Sequence, residues 1–147
     1  NYNDAVAFAT WRSAQTGQTC RLADQFEWEK AAAWDPVENH YYLYGFHRDT
    51  ISCPWSNYNN CIGSPMPVGS YNGTGGRENA RSYYGCYDMS GNVWEWTSEV
   101  SGSNRVIRGG AWSNNASDCQ CSDRGDSLAP SGRFADNGFR LVLDPTP

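Results

Sequence analysis

The sequence is poor in the residues that most metal and nucleophile chemistry requires. It has two histidines, His40 and His47, close together in mid-chain, and no CxxC pair. That excludes the usual zinc spacings, and it makes a Ser-His-Asp or Cys-His constellation untenable. Charged residues are sparse at 18%, with a net charge of -5, the wrong sign for gripping a nucleic-acid backbone. No apolar run reaches transmembrane length, so no membrane span is expected. No repeat, low-complexity tract or signal peptide is visible. Helix-capping residues, Asn3 and Asp4, stand so near the start that the chain reads as lacking an N-terminal part of its parent. Six cysteines in 147 residues are too few for a disulfide scaffold. Cys53 and Cys61 flank a short loop and could pair, whereas Cys119 and Cys121 are too close to pair with each other.

What is abundant is aromatic. Seven Trp and nine Tyr can build a core with few aliphatics and argue against disorder. The length fits one domain over 1–147, and fifteen Gly with seven Pro imply many turns. A first helix is expected from about Ala5 to Gln15, with Asn3 as N-cap, Gly17 as stop and Val6, Ala9 and Trp11 on its apolar side. A second follows Asp24, whose capping box closes at Glu27, and runs to about Trp34 before Pro36 forbids continuation. Turn signals then dominate to Asn79. Short strands are expected near Met66–Tyr71, Val93–Thr97, Arg105–Arg108 and Phe139–Leu143. The layout is α+β: two helices, short antiparallel strands and long irregular loops.

Three blocks carry most of the information. They are Arg21-Leu22-Ala23-Asp24 with Glu27-Trp28-Glu29, then Tyr87-Asp88-Met89-Ser90-Gly91-Asn92-Val93-Trp94-Glu95-Trp96, and finally Arg108-Gly109-Gly110-Ala111-Trp112 leading to Asn137-Gly138-Phe139-Arg140-Leu141-Val142. Their order and spacing resemble the formylglycine-generating-enzyme-like (sulfatase-modifying-factor) family along essentially the whole chain. The resemblance implies a C-type lectin-like fold. It also implies a calcium site, with ligands from the Asp88 side chain, the Gly91 and Val93 carbonyls and the Glu95 carboxylate, an oxygen-only set suited to that ion. The alternative is that Asp88 and Glu95 cap turns or pair with an Arg. Trp94, Trp96 and Trp112 read as core, with a carbohydrate platform as the other reading. The resemblance implies that the true formylglycine-generating enzyme holds copper with two cysteines, while the related iron-dependent sulfoxide synthases need several His, of which this chain has two. The cysteine positions, four and nine after Gly110, are Asn114 and Cys119 here. One thiolate cannot make the copper site, so neither copper nor catalysis is expected.

Between the last two framework motifs lies an unusual stretch, SNNASDCQCSDRGDSLAPSGRFADN, from Ser113 to Asn137. Every residue in it except Gln120 can be specified by a codon ending in a pyrimidine, as mutation of adenines in Asn codons would produce. The framing resembles the variable region of diversity-generating-retroelement proteins. It implies a variable segment over 111–137, with Ser113, Asn115, Ser117, Asp118, Cys121, Asp123, Gly125, Asp126, Ser127, Leu128, Phe134 and Asp136 facing a ligand. Arg124, Arg133 and Arg140 would bond loop carbonyls, while Trp112 and Phe139 would bury at the two ends. The main expectation is a noncatalytic ligand-binding protein. Its partner would be a protein or cell-surface ligand, met on a cell surface, in secretion or on a viral particle. The alternatives are a formylglycine-generating oxidoreductase and an accessory or sugar-binding domain.

Overall fold

The computed structural model describes residues 1–124 and 127–145. Helix α1 covers Tyr2–Thr16 and begins one turn earlier than its sequence suggests. Asn1, not Asn3, is the N-cap, because Asp4 completes a capping box with it. Gly17 closes the helix in the left-handed region, as expected. Ala5 and Ala9 face inward, whereas Val6 and Trp11 stay exposed. Helix α2, Gln25–Ala33, follows its sequence closely: Asp24 accepts from the Phe26 and Glu27 amides, and Glu27 returns the bond to the Asp24 amide. Trp28 is buried from this helix.

The strands are β1 (Cys20–Leu22), β2 (Trp34–Asp35), β3 (His40–Tyr41), β4 (Trp94–Ser101), β5 (Asn104–Arg108), β6 (Ser127–Leu128), β7 (Asn137–Phe139) and β8 (Leu141–Leu143). A four-stranded sheet has the order β6-β5-β4-β7; β1 pairs with β8, and β2 with β3. Not every pairing is antiparallel, since β7 runs parallel to β4. The expected strand over Phe139–Leu143 is cut at Arg140, which leaves β7 on the central sheet and β8 on β1. The expected strand over Met66–Tyr71 is absent. Side chains take its backbone donors instead: Met66 donates to Asn92 and Gly69 to Asp88.

Three apolar clusters hold these pieces. Trp94, Trp96 and Ile107 lie between the sheet and α1, with Trp112 packed against them. Trp28, Met89 and Cys121 fill the space under α2. Tyr44, Phe46, Tyr71 and Cys119 form the third, below the irregular loops. The core reading of Trp94 and Trp96 therefore holds. Cys53 and Cys61 form a disulfide, while Cys20, Cys86, Cys119 and Cys121 are free.

Candidate functional site

The framed segment divides into two parts with different supports. The first runs from Ala111 to Arg124 and turns off the end of β5 at Gly109 and Gly110, both at positive φ. A Cβ on Gly110 would lie 2.6 Å from the Cys119 sulfur, so only glycine lets the loop fold back here. Asn114 Oδ1 accepts the Ala111 amide at 3.0 Å, and its Nδ2 donates to Asp118 at 3.2 Å. Asn115 caps the next turn by accepting the Ser117 amide at 2.8 Å. The carbonyls of Trp112 and Asn114 accept the Asn60 and Asn59 amides, each at 2.8 Å, which ties the loop to the disulfide-closed segment. The strongest tether is Arg108, whose side chain is 0% exposed. Its guanidinium donates to the carbonyls of Asp123 (2.8 Å) and Cys121 (2.6 Å) and to Glu29 (2.6 Å).

The second part, from Ser127 to Asn137, is held mainly at its edges. Ser127 and Leu128 extend the sheet as β6. The Pro130 carbonyl accepts the Tyr2 amide at 3.1 Å, and the Asp136 carbonyl accepts the Trp94 amide at 2.8 Å. Arg133 pairs with Asp4 on the surface at 3.1 Å.

Ser113, Asn115, Ser117 and Phe134 are exposed, and Asp118, Asp123, Ser127 and Asp136 are half-buried. Gly125 and Asp126 lie outside the described residues. Two assignments need correction. Cys121 is 1% exposed and packs in the α2 cluster, so it cannot face a ligand. Leu128 is half-buried against the sheet core, which makes it a packing residue as well as a surface one. The framework roles shift too. Among the described residues it is Arg108, not Arg124 or Arg133, that bonds the loop carbonyls, and Phe139 stays partly exposed beside Phe8, with ring centroids 5.5 Å apart. The only cue to Arg108 was its place before the Gly-Gly pair.

Asp88, Val93 and Glu95 line a cleft of about 430 Å³ with Asn92, Phe139 and Arg140. Gly91 sits behind it: a Cβ there would come 2.5 Å from the Asn57 carbonyl oxygen. Glu95 is buried, and both of its oxygens are engaged. Oε2 accepts from Trp28 Nε1 at 2.7 Å and from Arg140 Nε, and Oε1 accepts from Arg140 Nη2 at 2.6 Å. Arg140 also donates to the Tyr87 carbonyl at 3.0 Å. Burial pulls the Arg140 guanidinium down, and the adjacent Glu95 more than offsets that, so its pKa is raised above the ordinary arginine value. Asp88 accepts the Gly69 amide at 2.7 Å, and burial raises its carboxyl above the usual range. Of the four positions named for calcium, Asp88, Val93 and Glu95 share the cleft lining with Arg140, and its guanidinium bonds both Glu95 oxygens. Asn92, which sequence reading passed over, pins the adjoining loop by accepting the Met66 amide (2.8 Å) and donating to its carbonyl (3.1 Å).

The copper positions do not fit that ion. Asn114 is committed to the turn described above. Cys119 is 0% exposed, and burial pushes its thiol up to about 12, away from the thiolate that copper needs. Cys121 is likewise pushed up to about 12 by burial.

Residues 1–145 match the family described as the sulfatase-modifying factor enzyme 1-like domain. Over 133 residues the chain is 32% identical to hercynine oxygenase of Mycolicibacterium smegmatis, covering 74% of this chain and 28% of that protein. It is 31% identical over 132 residues to the inactive C-alpha-formylglycine-generating enzyme 2 of Mus musculus, covering 79% of this chain and 37% of that one. Among solved structures, Treponema denticola variable protein 1 superposes with a TM-score of 0.69 at 27% identity, over 87% of this chain and 49% of that chain. The chain therefore spans less than a third of the hercynine oxygenase it resembles and about half of the variable protein. Similar proteins thus include one named as an oxygenase, one named as inactive and one named as variable.

Proposed function

The chain belongs to the sulfatase-modifying factor enzyme 1-like family, and from that membership we propose that it is a noncatalytic, ligand-binding member. One observation carries this reading. Where catalysis by copper would need a pair of accessible thiolates, the chain has a turn-forming amide, Asn114, and a fully buried thiol, Cys119. Incubation with copper and a cysteine-containing peptide should leave the peptide unoxidised by mass spectrometry. Copper-dependent aldehyde formation by the purified protein would refute the reading.

The recognition surface in this proposal is the framed segment, with Ser113, Asn115, Ser117 and Phe134 as its outward side chains and a protein or cell-surface ligand as its partner. Loops on a rigid frame tolerate change because the frame, not the loop side chains, holds the backbone. A finer reading, that the segment is diversified by a retroelement, is supported by its residue types, all but Gln120 compatible with pyrimidine-ending codons, and by the likeness to variable protein 1. It predicts a near-identical repeat of this stretch beside the gene, differing only at adenines, together with a reverse transcriptase. Sequencing of the flanking DNA without either would remove it.

A further inference from the structure

A separate cleft of about 740 Å³ opens among the irregular loops, with none of its lining residues drawn from the framed segment. Phe46, His47, Arg48, Trp55, Arg81 and Tyr83 line it, and no Asp or Glu does. In a chain with a net charge of -5, a cleft walled by two arginines and no carboxylate has a local charge opposite to the whole.

The cations are held by rings rather than by carboxylates. The Arg48 guanidinium carbon lies 3.9 Å from the centroid of the Trp55 ring, and Trp55 in turn stacks on Phe46 at 5.7 Å. Such stacking orders an arginine while leaving its N–H donors free for another partner. Neither Arg48 nor Arg81 has an ion pair or a side-chain hydrogen bond among the described residues, whereas Arg21, Arg108, Arg133 and Arg140 each have a carboxylate. His47 lies between Tyr42 (5.3 Å) and Tyr83 (6.0 Å), both stacked on it. Its Nδ1 is 3.8 Å from Asp35, and its Nε2 is shielded from solvent without a hydrogen-bond partner. Its backbone adopts φ of 57°, an uncommon conformation for a non-glycine residue. Buried polar atoms without partners and backbone strain both concentrate where a ligand completes a site.

We propose that this cleft is an oxyanion-binding site, taking a carboxylate, sulfate or phosphate group carried on a small ligand between Arg48 and Arg81. Asn79 and Ser82 add polar groups to the same wall. The site is independent of the framed segment and needs no catalysis.

The test is an amide-resolved NMR titration of the intact chain with sodium sulfate, inorganic phosphate, glucuronate and, as a neutral comparison, glucose. Sodium chloride is varied to hold ionic strength constant. Saturable shifts confined to residues 46–48 and 79–83 are expected with at least one oxyanion and not with glucose. The anion that binds tightest identifies the group carried. R48Q and R81Q should each weaken that binding about tenfold or more, as loss of a charge-assisted hydrogen bond implies. Both side chains are on exposed residues, so the fold should survive. R48K, which keeps the charge, should restore part of the affinity should R48Q perturb Trp55. Shifts equal for glucose and the anions, no saturable shift with any anion, or unchanged affinity in the R48Q/R81Q double variant would each overturn the proposal.

Discussion

The two parts of the framed segment have similar compositions and opposite structural characters. Ala111–Arg124 is sewn inward by one buried guanidinium, two buried cysteines and the Asn114 turn. The part from Ser127 to Asn137 touches the body through a two-residue strand and a few backbone bonds. Polar composition alone therefore does not identify a recognition surface. What matters is whether the polar groups are spent on the loop's own backbone or left for a partner. By that measure Asn114 and Asn115, both bonded to the loop's own amides, belong with the Cys119–Asp123 scaffold, and Ser113 and Phe134 are the exposed side chains left outward.

Removing Arg108 should break this contrast most severely. Arg108→Met leaves two carbonyls and Glu29 without their buried donor. Stripping one partner from a buried pair typically costs about 3–5 kcal/mol, and the partial exposure of Glu29 places this case toward the lower end. Urea denaturation reads the loss. Hydrogen exchange locates it, because the Cys121 amide, bonded to the Leu43 carbonyl, should lose protection first. A loss below about 1 kcal/mol, the range of an ordinary surface change, would mean that the first part stands without its clamp.

Leu128→Ala should cost less, about 1–2 kcal/mol, because the side chain is only half-buried and full burial sets the larger values for this change. This sharpens the comparison, since it asks whether the second part is anchored through β6. Protection of the Val106 and Arg105 pairing should fall along with stability. Unchanged melting would show Leu128 to be a surface residue alone.

The difference between the two parts bears on how much of the molecule could be read from its residues. Local rules worked where one short stretch contains both partners. The Asp24–Glu27 box, the Gly17 stop and the short β-prone runs of β4 and β5 all appear where expected. They failed where a distant group takes over a backbone donor. Met66–Tyr71 looks like a strand until Asn92 and Asp88 claim two of its amides, 26 and 19 residues away. Phe139–Leu143 looks continuous until Arg140 turns to Glu95 and splits it between two sheets. The candidate site followed the same division. Its limits were legible from the flanking motifs. Its inner clamp was not, because an arginine at the end of a β-strand looks solvent-facing in sequence, and only the tertiary fold supplies the three acceptors that bury it.

Loss of the Arg21–Glu27 pair should act on neither part, which provides a control. The Arg21 guanidinium holds the Glu27 carboxyl down at about 2, from an ordinary 4.5. A carboxylate depressed in the folded state adds stability above its unfolded pKa and loses it as pH falls. The contribution is therefore complete above about 4.5 and gone near 2. Because Glu27 and Arg21 are each about two-fifths exposed, it should amount to less than about 1 kcal/mol. The Glu27→Gln variant should flatten that part of the pH–stability curve, while exchange rates in the framed segment follow the wild type. Loss of protection in the first part of the Glu27→Gln variant, at a pH where the wild type keeps it, would tie that part to the Arg21 network and blur the distinction.

Phe134→Ala should have the smallest effect on stability and the largest on recognition. The ring is 50% exposed, and its close neighbour is Gly132, where an added Cβ would fall 2.7 Å from the ring edge. Truncating it removes little buried area, so stability should stay within about 0.5 kcal/mol of the wild type. A large aromatic on a supported loop is the type of residue that anchors an interface, and losing one commonly costs about 2 kcal/mol of binding. Once a partner is captured, the variant should bind it about thirtyfold more weakly at an unchanged melting temperature, and the Cys119–Asp123 scaffold should keep its exchange protection. If affinity is kept while stability falls, Phe134 belongs with the scaffold, and recognition moves to Ser113.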